Sequence, residues 1–113
     1  MTVTLYHNPR CGKSRQTLEI LKQHGIEPHI IDYLKTPPSA AELKTILEKL
    51  GIAPRDLLRR KEAAEAGIDP AALTDDALIA AMVANPITIE RPIVITPKGA
   101  ALGRPPEAVE KIL

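Results

Sequence analysis

The period of the apolar positions changes repeatedly along this chain, and each change marks an element. Val3-Thr4-Leu5-Tyr6 alternates and is partly β-branched, which predicts a short strand. Asn8-Pro9-Arg10-Cys11-Gly12 has the chemistry of a loop. A helix is predicted from Gly12 or Lys13 to His24, with Leu18 and Leu21 facing inward and Gly25 as its left-handed C-cap. Pro28 breaks the chain, and His29-Ile30-Ile31-Asp32-Tyr33 predicts a second strand. A strand, a helix and a strand in direct succession are joined by a right-handed crossover, so the two strands are expected as parallel neighbours.

Helical spacing then takes over from residue 39 to residue 85. Ser39 and Glu42 form a capping box, and Leu43, Ile46, Leu47 and Leu50 give one apolar stripe that Gly51 closes. Pro54 suits the first position of a short helix over residues 55–59. A second short helix fits residues 61–66, ended by Gly67. Thr74 caps a third, with Asp75 and Asp76 favoured by its dipole and Leu78, Ile79, Met82 and Val83 on its buried side; Asn85-Pro86 stops it. Strand character returns in Ile93-Val94-Ile95-Thr96. Pro97-Lys98-Gly99-Ala100 reads as a turn, with Ala101-Leu102 as the hairpin partner. Pro105-Pro106 opens a final helix over residues 107–113. The order is βαβ, a helical block, then ββα. That is the α/β plan of the thioredoxin-like fold, with a mixed sheet, and it predicts a single domain over residues 1–113 with a helical insertion at about 39–85.

Length and composition narrow the functions open to such a domain. A chain of 113 residues is the size of one domain. Fifteen Lys+Arg against 14 Asp+Glu leave a net charge of +1, without the basic surplus of a dedicated nucleic-acid binder. Phe and Trp are absent, and Tyr6 and Tyr33 alone give no stacking platform for single strands. No stretch approaches a membrane span, and the first residues hold no signal-peptide apolar core, so a cytoplasmic protein is expected. Near-neutral charge makes a monomer the default. The one cysteine excludes an internal disulfide framework; in a reducing compartment it is either buried packing or a reagent.

Cys11 stands between the first strand and the first helix, at the predicted helix start. The first N–H groups of a helix lack internal partners and carry the positive end of its dipole, so a thiolate there is stabilised. Arg10, Lys13 and Arg15 push the same way, and His7 and Ser14 can donate hydrogen bonds to the sulfur. Polar flanks at a helix start favour a reactive thiol over a buried one. Other chemistries fit less well. Gly12-Lys13-Ser14 matches the end of a phosphate-binding loop, but His7 stands where its first glycine belongs and Pro9 removes an N–H. Thr17 replaces the arginine of a cysteine-phosphatase loop. Ser14 replaces the second sulfur of Cys-x-x-Cys, so an oxidised Cys11 must be resolved by an external thiol. His7, His24 and His29 lack metal-ligand spacing, and no bound metal or cofactor is expected.

Tyr6-His7-Asn8-Pro9-Arg10-Cys11-Gly12-Lys13-Ser14-Arg15 resembles the signature of the ArsC-type arsenate reductases, the glutaredoxin-coupled class of the thioredoxin-like superfamily. Leu57-Leu58-Arg59, Asn85-Pro86, Glu90-Arg91-Pro92-Ile93-Val94 and Gly103-Arg104-Pro105 agree in order and spacing, so the likeness covers essentially the whole chain and is greatest to the short bacterial branch. The resemblance implies that Cys11 attacks arsenate to form a thiol–arsenate adduct. Glutathione, as co-substrate, then attacks that adduct, arsenite is released, and glutaredoxin resolves the remaining mixed disulfide. It also implies that Arg59, Arg91 and Arg104 bind the anion. Guanidinium forks match tetrahedral oxyanions with paired hydrogen bonds. Arg60 beside Arg59 leaves open which of the two turns inward. A cis-proline faces the active thiol in thioredoxin-like proteins, and Pro92 holds that place, so a cis bond is expected before it. The alternatives are an interaction protein similar to the Spx-type regulators, whose internal Cys-x-x-Cys switch Ser14 removes, and a monothiol redox protein that does not turn over arsenate.

Overall fold

The computed structural model describes residues 2–113. Its backbone contacts gather into two compact units. One joins the residues up to Thr36 with Arg91–Leu113, and the other is Pro37–Glu90.

The first unit is an α/β sheet unit. It contains β1 (Thr4–His7), α1 (Gly12–Gln23), β2 (His29–Asp32), β3 (Ile93–Thr96), β4 (Gly99–Leu102) and a closing 3-10 helix (Pro106–Ile112). The sheet order is β2-β1-β3-β4. β1 and β2 are parallel, with Thr4 opposite His29 and His7 opposite Asp32. β3 runs antiparallel to β1, with Tyr6 opposite Ile93, and Ile93 stands opposite Leu102 of β4. This register decides where the chemistry gathers. The end of β1, the start of β3 and the end of β4 lie at the same end of the sheet, so the loop after His7, Arg91 and Arg104 are brought there by topology alone. Leu5 and Val94, paired across β1 and β3, face a core with Val3, Leu21 and Val109. Burying such a side chain contributes about 1.5–3 kcal/mol, which fixes α1 on the sheet.

The second unit, Pro37–Glu90, is helical: α2 (Ala40–Leu50), α3 (Arg60–Glu65) and α4 (Asp75–Ala84), joined by 3-10 turns at Pro54–Asp56, Pro70–Ala72 and Pro86–Thr88. Helices α2 and α4 pack together, burying Leu43, Ile46, Leu47, Leu78, Ile79 and Met82. Ser39 and Glu42 form the expected capping box, and Thr74 Oγ1 accepts from the Ala77 N–H. An isolated antiparallel bridge pairs Leu58 with Ile89, flanked by Arg59 N–H to Thr88 O (2.8 Å) and Glu90 N–H to Leu57 O (2.8 Å).

Two expectations need correction. The last helix is 3-10 rather than α. Pro106, Val109 and Ile112 recur every third residue, and the first two are buried, so the threefold period matches a helix of three residues per turn. The helix expected over residues 55–59 is a single 3-10 turn. Asp56 Oδ2 closes that turn on the Ala53 N–H; Leu57 still has helical backbone and ends the turn, and the chain leaves the helical path where Leu58 bridges Ile89 and Arg59 is extended. β1 and β2 lie within one residue of the predicted strands; β4 starts earlier, at Gly99, because Thr96 pairs with it across a two-residue turn. Among the described residues no helix is long and apolar enough to cross a membrane.

Candidate active site

Cys11 is the N-cap residue of α1, with extended backbone and no side-chain capping bond. Helices α2 and α4 have hydroxyls on their first N–H groups, whereas α1 begins with a thiol that leaves its own first donors to the sulfur. The loop that delivers Cys11 is tightly held. The Cys11 N–H donates to Asn8 O at 3.0 Å, and the Arg10 N–H donates to Asn8 Oδ1 at 3.0 Å, which makes Asn8 an Asx turn. Arg15 Nη1 donates to Pro9 O at 3.0 Å.

Beneath the loop lies a buried polar knot. The Ser14 hydroxyl lies 2.7 Å from His7 Nδ1 and accepts from the Asn8 N–H at 3.0 Å. Ser14 is fully buried and His7 is 6% exposed. Burial pulls the His7 imidazole below its ordinary titration range; Asp32 pushes it back up and Arg15 pulls it further down. The ring is therefore neutral at neutral pH. This corrects one expectation: His7 and Ser14 bond to each other and fix the loop, and what reaches the sulfur from Ser14 is its backbone N–H.

The sulfur is partly exposed. Burial works against its ionisation. The Ser14 N–H, the Arg91 charge, the Lys13 N–H and the Arg104 charge together outweigh that effect and hold the thiol below the usual cysteine range. The cations responsible are not those adjacent in sequence. They come from just before β3 and just after β4. Arg104 Nη2 points at Cys11 Sγ from 3.9 Å, and Arg104 Nε donates to Arg91 O at 2.8 Å. Two nitrogens of the Arg91 guanidinium, Nε and Nη1, are shielded from solvent, which strengthens its field at the sulfur. The Arg91–Pro92 bond is cis as expected, and Arg104–Pro105 is cis as well, which the sequence had not suggested.

Arg59 belongs to the helical unit. It caps α3, and its guanidinium faces Glu62 at 3.1 Å and Glu90 at 3.9 Å and donates to Ile87 O at 3.3 Å. Arg60 is exposed, so Arg59 is the one of the pair held in a defined place. The structure thus assembles Cys11, Arg91, Arg104, Pro92, His7, Ser14 and Arg15 within the sheet unit. Sequence reasoning missed Thr17 and Gly103, which pack beside Pro92. Among the described residues no group of three or more His, Cys, Asp or Glu side chains is placed to hold a metal ion.

A nucleophilic thiolate flanked by two guanidiniums can attack a tetrahedral oxyanion and hold its oxygens meanwhile. Comparison with known proteins points the same way. The model of the ArsC family matches residues 6–112. An arsenate reductase of Escherichia coli is 50% identical over 113 residues, covering 98% of this chain and 80% of that protein. The protein YfgD of Escherichia coli (strain K12) is 48% identical over 114 residues, covering 98% of this chain and 96% of its own. The solved structure of an arsenate reductase from Vibrio cholerae superposes with a TM-score of 0.95 at 48% identity, covering 100% of this chain and 98% of that one.

Proposed function

This chain belongs to the ArsC family, and from that membership and its thiol site we infer that it is an oxidoreductase that reduces arsenate to arsenite through a covalent Cys11 adduct. The carrying observation is the Arg104 guanidinium 3.9 Å from a sulfur whose ionisation its surroundings ease. Cys11 Sγ attacks arsenic, and one arsenate oxygen leaves as water once protonated. Arg104 and Arg91 hold the remaining oxygens and offset the charge that accumulates as two anions meet. The α1 N–H groups that stabilise the free thiolate stand at the same point.

The adduct carries arsenic(V). Ser14 is a hydroxyl, so no sulfur in this chain can release it. Glutathione, an external thiol, attacks the adduct. The electron pair of the S–As bond ends on arsenic, which departs as arsenite, and the two sulfurs end joined. Glutaredoxin then exchanges the mixed disulfide and returns Cys11 to the thiol. Arg59 enters this scheme only through the family resemblance, because its own contacts are with Glu62 and Glu90.

The test is direct. The protein is incubated with arsenate, glutathione and glutaredoxin, and arsenite is measured against Cys11→Ser. Arsenite well above that control is expected; none above it ends the proposal. Omitting glutaredoxin should leave at most a single turnover, with Cys11 trapped as the glutathione disulfide and visible as an added mass.

A further inference from the structure

A cavity of about 250 Å³ opens beside the loop that presents Cys11, lined by Asn8, Pro9, Arg10, Asp32, Leu34 and Lys35. All of these belong to the sheet unit. Asp32 ends β2 opposite His7, the last residue of β1, so the cavity lies between the two loops that leave this pair of strands. Its cations are uncommitted. Elsewhere Lys44, Arg55 and Arg59 face carboxylates, and Arg15 and Lys98 donate to carbonyls. Among the described residues no hydrogen bond or ion pair engages the Arg10 guanidinium or the Lys35 ammonium, although the Asp32 carboxylate lines the same cavity. Asp32 is held in place by accepting from the Leu34 N–H at 3.2 Å. Two cations and one carboxylate are the complement of a ligand with two carboxylates and one ammonium, which is the charge pattern of glutathione. Pro9 and the exposed Leu34 offer its methylene groups an apolar wall.

The reaction asks for a thiol on that side. When a second sulfur displaces arsenic from Cys11 Sγ, the new S–S bond forms in line with the S–As bond that breaks, so it approaches opposite the departing arsenic. In the sheet, β3 and β4 lie on one side of β1 and β2 on the other. Arg91 and Arg104 belong to the β3–β4 side, and Asp32, Leu34 and Lys35 to the β2 side. The reach is right as well. The Cys11 N–H donates to Asn8 O at 3.0 Å, closing a turn whose ends lie within about 7 Å. Two residues of an extended tripeptide span about 7 Å. We propose that this cavity seats the resolving thiol: glutathione lays its carboxylates against Arg10 and Lys35 and its ammonium against Asp32, with its sulfur turned to Cys11. The proposal rests on reading glutathione as the thiol that attacks the adduct, and adds where on the chain it is recognised. In that step the two sulfurs join and are oxidised to a disulfide. The S–As bond breaks, and its electron pair leaves on arsenic, so arsenic(V) becomes arsenic(III).

The experiment uses the full chain and leaves arsenic out. The Cys11 thiolate attacks glutathione disulfide: the S–S bond of the reagent breaks, one glutathione departs as its thiolate, and the mixed disulfide stays on Cys11 as an added mass. The rate is divided by that for bis(2-hydroxyethyl) disulfide, which is neutral and can make none of the three charged contacts. Arg10→Gln and Lys35→Gln should each lower this ratio about threefold. Asp32→Asn supplies the sign that separates recognition from general attraction. It removes a negative charge and can still accept from the Leu34 N–H. General attraction of an anionic disulfide would raise the ratio, whereas the proposal has it fall by a similar factor, because the ammonium loses its partner. Iodoacetamide alkylation of Cys11, followed across pH, reports the thiol alone. Its curve should stay put in all three variants, since none of these residues is among the groups that tune the sulfur. The proposal stands only if all three lower the ratio. An unchanged ratio in any of them overturns it, as does a raised ratio in Asp32→Asn or an alkylation curve that moves far enough to account for the loss. The exchange needs no arsenate. A protein that shows this pattern and makes no arsenite would defeat the arsenate reading alone, and one that makes arsenite without the pattern would defeat this assignment alone.

Discussion

Arg104 in the sheet unit and Arg59 in the helical unit are the same residue type put to opposite uses. Arg104 is anchored through Nε on a backbone carbonyl, which bears no net charge, and turns Nη2 toward the Cys11 sulfur. Arg59 faces the carboxylates of Glu62 and Glu90, with all three side chains only 18–25% exposed. The first arrangement turns a guanidinium N–H toward the reactive sulfur. The second uses positive charge to bind α3 to the segment before β3. The helix starts differ in the same way. α2 and α4 are capped by the hydroxyls of Ser39 and Thr74, whereas the first N–H groups of α1 are turned to the Cys11 sulfur. In the helical unit these hydroxyls and this guanidinium hold structure together, and in the sheet unit a guanidinium and helix N–H groups are directed at one reactive atom.

The largest effect that would sharpen this contrast is loss of the nucleophile. Cys11→Ser should keep the fold, since Cys11 is partly exposed and stands at an N-cap, where serine is a preferred residue, and should lower arsenite production by at least about a thousandfold, because a serine hydroxyl is barely ionised at neutral pH. Arg104→Gln comes next. Removing one preorganised charged donor costs on the order of a hundredfold in kcat/KM. The same change takes away one of the influences that hold the Cys11 thiol below its ordinary range, so the alkylation curve should move to higher pH. If kcat/KM fell while the curve stayed put, Arg104 would touch the anion without tuning the thiol, and half of the comparison would fail.

What the sequence made legible follows from how local each signal is. The βαβ opening, the Ser39 capping box and the Gly25, Gly51 and Gly67 helix ends rest on neighbours within a few residues, and all are present. The site was half legible. Cys11 at a helix start is a local feature, and Arg91 and Arg104 were supplied by the family resemblance. Which groups lower the thiol pKa was not legible, because that depends on register. Tyr6, Ile93 and Leu102 must align before Arg91 and Arg104 can outweigh Arg10 and Arg15, which are adjacent in sequence. The Ser14–His7 bond was missed for a related reason. A hydroxyl one turn into α1 points back under the loop, and only the packed structure shows a buried imidazole waiting there. The glycine at residue 103 gave no signal of its own, since a crowded glycine and a turn glycine look alike in a sequence.

Arg59→Gln tests the other side of the contrast. It removes a guanidinium from two partly buried carboxylates, and the expected cost is about 1–2 kcal/mol of stability in urea unfolding, more than an exposed pair loses because Glu62 and Glu90 are left facing each other. The groups that tune Cys11 all lie in the sheet unit, so the alkylation curve of this variant should match the wild type. A shifted curve would show that the charge of Arg59 reaches the thiol, and the division of labour between the two arginines would have to be abandoned.

The smallest effect belongs to His7 and is a matter of pH. Its folded-state titration lies below the ordinary histidine value, chiefly because the ring is buried. Below pH of about 6.5 the unfolded chain therefore binds a proton more readily than the folded one, and stability falls as the pH drops from there through the folded-state titration. Above that window His7 contributes no pH dependence. Carboxylates titrate at the acidic end as well, so the measurement is a difference. Urea unfolding of the wild type and of His7→Gln is compared at pH 7.5 and at pH 5. Glutamine can still reach the Ser14 hydroxyl and cannot take up a proton, so the wild type should lose more stability on acidification than the variant does. Equal losses would mean that the imidazole accepts its proton without disturbing Ser14 and the Asn8 N–H. The knot under the loop would then be looser than a fully buried hydroxyl 2.7 Å from the ring implies.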